Sequence, residues 1–138
     1  MTEEAHRPTP GVTWVRMVRT LRTSDAPRYF ASNVTLDASV LDRTSRGINA
    51  VRAYFVAASS LYNSLRFTNE TVTGARTFLE WEGKAFGEEV AGITVFVRNK
   101  SGRIAKIRLY TSPLAAVHQF STALQKQLTA KSGKENGR

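Results

Sequence analysis

The sequence predicts an α+β domain whose sheet is mostly antiparallel, and three observations carry that prediction. Apolar residues recur with helical spacing in two stretches, residues 12–21 and 48–62, and then alternate with period two between 66 and 111. The alternating part divides into four strand-like runs separated by turn residues, with no helix between them, so neighbouring runs pair antiparallel as a meander. The helical stretches stand apart from the meander and are expected to cover one side of it. A length of 138 residues with 41% hydrophobic composition fits a single domain with one core.

Taken in order, residues 1–10 read as a disordered arm, and the domain is expected over residues 11–129. In residues 12–21, Val12, Trp14, Val15, Met17, Val18 and Leu21 form one face of a helix, with Arg16, Arg19 and Thr20 opposite. The Ser24-Asp25-Ala26-Pro27 run breaks it, and residues 28–31 form a short turn or helix. Residues 34–38 alternate as a strand. A polar loop over 42–46 follows, in which the Ser45 hydroxyl is placed to cap the next helix. That helix shows a stripe of Ile48, Val51, Phe55, Ala58 and Tyr62, spaced 3, 4, 3, 4. Strands are expected at 66–73, 77–85, 90–98 and 104–111, with Gly74, Gly87-Glu88 and Asn99 to Gly102 as turns. Ser112 and Pro113 suit the N-cap and first position of a last helix, where the missing proline N–H costs nothing. Leu114, Val117, Leu124 and Leu128 give that helix a partial stripe, and residues 130–138 read as a basic disordered tail.

Charge and composition exclude several classes. Twenty basic residues against 11 acidic ones leave +9. Arg16, Arg19 and Arg22 share one helix face, while Lys126, Lys131, Lys134 and Arg138 lie in or near the tail. The pattern reads as a solvated face plus a solubilising tail, and without a groove-reading element or aromatic platform nucleic acid is not an expected partner. The absence of cysteine rules out disulfides, thiolate catalysis and Cys-based metal sites. His6 and His118 are too few for a histidine metal site, so no metal is expected. No P-loop, G-x-G-x-x-G or G-x-S-x-G occurs, and no cofactor is expected. No apolar run is long enough to span a membrane. The opening MTEEAHRPTPG lacks the apolar core of a secretory signal, so a cytoplasmic protein is expected and Asn33, Asn69 and Asn99 are not read as glycosylation sites.

Three stretches together have a familiar order and spacing: YFASNVTLDASV at 29–40, RGINAVRAYF at 46–55, and the long run from 76 to 113 with its Gly-x-Ile turn and closing proline. Over residues 12–128 the chain resembles the nuclear-transport-factor-2-like superfamily, in its polyketide-cyclase-like (SnoaL-like) branch. The resemblance implies a cone-shaped, strongly curved sheet wrapped by helices, a cystatin-like α+β roll, around an apolar pocket. Gly83, Gly87 and Gly92 are placed to supply the kinks such a sheet needs. It also implies a small hydrophobic or aromatic ligand, of polyketide, steroid or terpenoid type, with cofactor-free acid–base chemistry where catalysis occurs. Homodimerisation through the outer sheet face is a further implication, and Ile93, Val95 and Val97 form an apolar face suited to it.

The candidate pocket residues are Trp14, Met17, Tyr54, Phe55, Trp81, Thr94, Phe96 and Tyr110. Set against the ketosteroid isomerases, the general-base position falls on Ala38, the tyrosine position near Met17 and the protonated-aspartate position near Thr94, so the isomerase set is unmatched. Asp37 precedes the base position and by strand alternation points the other way. The cyclase acid is missing from Tyr110-Thr111-Ser112-Pro113, and no Arg-x-Asp pair stands on a strand. His118 lies beyond the meander, away from the position a dehydratase histidine takes. Glu80 and Glu82 are the remaining catalytic candidates. Facing inward, either would be a carboxylate with a raised pKa able to act as a base, with Lys106 and Arg108 to neutralise them. The more apolar pair, Leu79 and Trp81, competes for the inner face and is favoured there, which would turn both glutamates to solvent. The alternative function is a non-catalytic dimeric accessory domain that works through its outer sheet or its basic face.

Overall fold

A computed structural model describes residues 9–136, with side chains described through residue 129. The elements are α1 (Val12–Arg19), a 3-10 turn (Thr20–Arg22), α2 (Ala26–Tyr29), β1 (Phe30–Ala38), β2 (Ser45–Arg46), α3 (Ile48–Ser59), β3 (Tyr62–Thr73), β4 (Arg76–Ala85), β5 (Glu88–Arg98), β6 (Ile104–Ser112) and α4 (Leu114–Asn136). The strands form one curved six-stranded sheet in the order β2-β1-β6-β5-β4-β3. Every pairing is antiparallel except β1 with β6, where Leu36 stands beside Ile107 in a parallel register. The expected α+β class and meander are therefore present.

The meander turns form where their residue types require. Asn99 Oδ1 accepts the backbone N–H groups of Ser101 and Arg103, each at 3.0 Å, and closes the β5–β6 turn. Two glycines in the strands are required by close approach. A Cβ on Gly83 would sit 2.1 Å from the Ser64 carbonyl oxygen. A Cβ on Gly92 would sit 2.1 Å from the Tyr110 carbonyl oxygen and 2.3 Å from the Trp81 ring, which lies across it. Together with irregular register in β3 at Tyr62/Ser64 and Phe67/Asn69, these sites let the sheet bend.

Several local expectations are corrected. The long helix stops at Ser59 instead of reaching Tyr62, which opens β3. The Ser59 and Ser60 hydroxyls donate to the carbonyls of Val56 and Ala57, a competition with the helix ladder that suits its end. The buried stripe of α3 is accordingly Val51, Tyr54, Ala57 and Ala58, with Ile48 and Phe55 at its margin. Ser45 does not cap that helix. It pairs with Leu36 in β2, and Gly47 takes the N-cap position at φ 90°. Ser112 likewise belongs to β6, and the first carbonyl of α4 is that of Pro113, which accepts from Ala116 and Val117 at 2.9 and 3.1 Å. α4 runs on to Asn136, so most of the expected disordered tail is helical backbone, in keeping with the alanine, lysine and glutamate it contains. Residues 1–8 of the expected arm and residues 137–138 of the tail lie outside the described residues.

The core fills the concave face beneath β1 and β6. Phe30, Val34 and Leu36 of β1, Ile104 and Ile107 of β6, Val51 of α3, and Phe120 and Leu124 of α4 are almost fully removed from water. At the opposite end, α1 is tied across the sheet by its own N-terminus. The Gly11 N–H donates to Glu70 Oε1 of β3 at 2.9 Å, placing a carboxylate at the positive end of the helix.

Candidate functional site

Strand alternation on β4 decides what the sheet offers on each side. Thr77, Leu79, Trp81 and Ala85 are buried on the concave face, while Glu80 and Glu82 are exposed on the convex one. Glu82 pairs with Arg66 of β3, and Glu80 accepts from Asn69 Nδ2 at 3.2 Å. The two glutamates therefore lie outside the cavity described below, and an inward carboxylate base at either position is not what this register gives. Lys106 and Arg108 do not neutralise them, because β6 pairs with β5 and not with β4. Asp37 also faces outward, between buried Leu36 and Ala38, and accepts from the Thr44 hydroxyl. His118 is exposed on α4.

Between α1, α3 and the concave face of β3 to β6 lies a cavity of about 570 Å³, the size that takes one drug-sized molecule. Five expected residues line it: Trp14, Tyr54, Phe55, Trp81 and Thr94. Three do not. Met17, on α1, is half-buried and packs against the core. Phe96 is buried behind Trp14, whose ring stacks on it at 4.7 Å. Tyr110 is on the convex face and 48% exposed, because its β6 neighbours Leu109 and Thr111 set the opposite alternation.

The walls also hold residues that the sequence reading did not single out. Tyr62, Leu65 and Phe67 enter from β3, Val15 and Val18 from α1, and Leu109 from β6. The β3 residues were hidden, since β3 reads as a polar strand and Tyr62 as the end of a helix, while Val15 and Val18 read only as the apolar face of α1. Three arginines, Arg19, Arg22 and Arg52, complete the rim.

The aromatic wall is ordered by edge contacts. Trp14 meets Phe55 edge-on at 5.8 Å, Tyr54 meets Phe55 at 5.1 Å, and Tyr62 meets Trp81 at 5.9 Å. The Trp81 indole N–H donates to Thr94 Oγ1 at 3.1 Å, so both buried polar groups are satisfied in the floor. Burial pushes the Tyr62 phenol up to about 12. Tyr54 is raised further by its own burial, with the neighbouring Tyr62 adding to it. Both rings are therefore neutral phenols near pH 7, able to donate a hydrogen bond. Among the described residues no aspartate, glutamate or histidine lines the cavity. No cluster of three or more acidic or histidine side chains that could hold a metal ion occurs among the described residues, and no described helix is long and apolar enough to cross a membrane.

No family model matches the chain, and no curated protein matches it either. Solved structures do. A steroid delta-isomerase from Pseudomonas aeruginosa superposes with a TM-score of 0.75 at 14% identity, covering 88% of this chain and 90% of that one. An uncharacterised protein with a cystatin-like fold from Silicibacter pomeroyi gives 0.75 at 18% identity, covering 88% of each chain. A SnoaL-like family protein from Agrobacterium tumefaciens gives 0.54 at 16% identity, covering 74% of this chain and 97% of that one. Identities this low carry the backbone and not the side-chain chemistry. The chain has the cystatin-like fold of the nuclear-transport-factor-2-like and SnoaL-like proteins.

Proposed function

We propose that this protein binds a small hydrophobic or aromatic molecule in the cavity between α1, α3 and the sheet. The observation that carries the reading is the cavity wall itself: aromatic and aliphatic side chains with a few fixed polar groups, open enough to admit a ligand. The fold is one that a steroid delta-isomerase also uses. The wall favours binding over isomerase or cyclase chemistry run by a carboxylate base. Its hydrogen-bond donors, the Tyr54 and Tyr62 phenols, could polarise a ligand carbonyl, but among the described residues no carboxylate or imidazole lines the cavity to take a proton.

The test is a titration with N-phenyl-1-naphthylamine, a neutral fluorophore that brightens in apolar surroundings. The expected result is saturable binding, weakened about tenfold by Val18→Trp, which fills the cavity from the α1 side. A folded wild-type protein that gives no brightening refutes the reading.

A homodimer formed through the convex sheet face is a second element of the proposal. Tyr110 stands beside Ile93 in the β5–β6 register, next to Phe78, Val95 and Val97 on the same face. Tyr110 is exposed there, Phe78, Ile93 and Val97 are half-buried and Val95 is buried, and an exposed aromatic on an apolar strand face suits self-association. Light scattering after size exclusion should give twice the monomer mass for the wild type and the monomer mass for Tyr110→Asp. A wild-type monomer at high concentration rejects it.

A further inference from the structure

Arg19, Arg22 and Arg52 all line the cavity, yet none has a carboxylate partner among the described residues, where the ion pairs are Arg43 with Asp42 and Arg66 with Glu82. Arg19 and Arg22 stand three residues apart on α1 and the 3-10 turn that follows it, and both are exposed. Arg52 comes from α3 and is half-buried. Its Nε donates to the Leu21 carbonyl and its Nη1 to Asn49 Oδ1 at 3.0 Å, so its guanidinium is held beside the turn that carries Arg22. Three positive groups thus gather where the 3-10 turn meets α3, at the edge of a wall that contains no acidic residue among those described.

We infer that the cavity takes an amphipathic anion: a free small molecule with an apolar or aromatic body and one carboxylate, its body among Trp14, Phe55 and Trp81 and its carboxylate at the arginines. Guanidinium groups present paired N–H donors that match the two oxygens of a carboxylate. Beside an apolar wall they attract an anion more strongly than they would in bulk water. A neutral ligand of the same shape would leave this rim unused. The inference rests on the reading of the cavity as a ligand site and adds the charge of the ligand. The competing explanation is that the arginine stems only cover apolar surface while their heads stay in water.

Two fluorophores with the same apolar body separate these cases: neutral N-phenyl-1-naphthylamine and its sulfonate, 1-anilinonaphthalene-8-sulfonate. Both are titrated into the full chain, and each is then displaced by decanoate or by 1-decanol. The expected result is that the sulfonate binds about tenfold more tightly than the neutral probe, and decanoate displaces both better than the alcohol does. In the Arg19→Gln/Arg22→Gln double variant, at two exposed positions, the sulfonate should lose about tenfold in affinity while the neutral probe changes by less than about twofold. Equal affinity for the two probes overturns the anion inference and leaves the cavity reading standing. A sulfonate preference that survives in the triple variant with Arg52→Gln, folded by near-ultraviolet circular dichroism, also overturns it. Binding of neither probe to the folded wild type overturns the cavity reading, and the inference falls with it.

Discussion

Beneath β1 and β6 the concave face of the sheet is filled, with Phe30, Leu36 and Ile107 fully buried against side chains from α3 and α4. Beneath β3 and β4 the same face opens onto the cavity, and β3 is exposed along most of its length. The difference follows from what each strand carries. β1 and β6 turn large apolar side chains toward the helices, whereas β3 sets Leu65, Phe67, Glu70 and Val72 opposite the concave-face positions of β4, and a helix laid over that stretch would have to desolvate the Glu70 carboxylate. Among the described elements it is α1, tied to Glu70, that crosses that end. One end of the sheet stabilises the fold, and the other keeps a space that a ligand can use.

The sharpest way to break the comparison is to remove a side chain from the filled end. Phe30→Ala should cost about 3–5 kcal/mol in chemical denaturation, because the surrounding core cannot collapse around the space left behind. A cost near that of a surface substitution would mean that this end is not the stabilising one.

Alkaline pH should weaken the cavity end through its two tyrosines. Below pH 10 folded and unfolded chains hold the same phenol protons. Above it the unfolded chain releases them while Tyr62 keeps its proton up to about pH 12 and Tyr54 keeps its own higher still. Stability should therefore fall as pH rises through this window, by up to about 1.4 kcal/mol per pH unit for each ring. Tyr62→Phe should make the fall shallower in urea denaturation from pH 10 to 12, and an unchanged slope would contradict the assignment.

Gly92→Ala probes the seam between the two ends, where the Trp81 ring and the Tyr110 carbonyl leave no room for a Cβ. It should cost about 1–3 kcal/mol and shift the near-ultraviolet signal of Trp81 as the ring is displaced. On the convex side of the open end, Arg66→Ala breaks an exposed pair with Glu82. It should cost less than about 1 kcal/mol, and less again in high salt. The smallest effect is expected from Leu65→Ala, which lies at the cavity and is 45% exposed. Its stability should stay within about 0.5 kcal/mol of wild type, while N-phenyl-1-naphthylamine affinity drops measurably. A loss as large as that of Phe30→Ala would erase the distinction between the ends.

Much of the scaffold was legible because its signals are local. The period-two alternation of β4 to β6, the Asn99 turn and the helical spacing after Val12 each act within a few residues of themselves. The preference of Leu79 and Trp81 for the inner face was also readable, since burial of an apolar pair competes directly with burial of Glu80 and Glu82. Most of the cavity wall escaped. Tyr62 carried a helical spacing and became a strand residue, because two serines end α3 early. Phe96 and Tyr110 looked like wall residues, yet one is hidden by a stacked tryptophan and the other is turned outward by its strand.

The sequence alone determined the class of fold, the order of most elements, the absence of thiol chemistry and the identity of the most apolar strand faces. Those follow from composition and from periods that a strand or helix imposes on its own residues. Tertiary structure decided the parallel pairing of β1 with β6, the convex position of the two glutamates, and the meeting of Arg19, Arg22 and Arg52 at one rim. These depend on register and on which distant elements are brought together. A shift of one residue in a strand, or one turn in a helix, would change each of them without altering any local pattern.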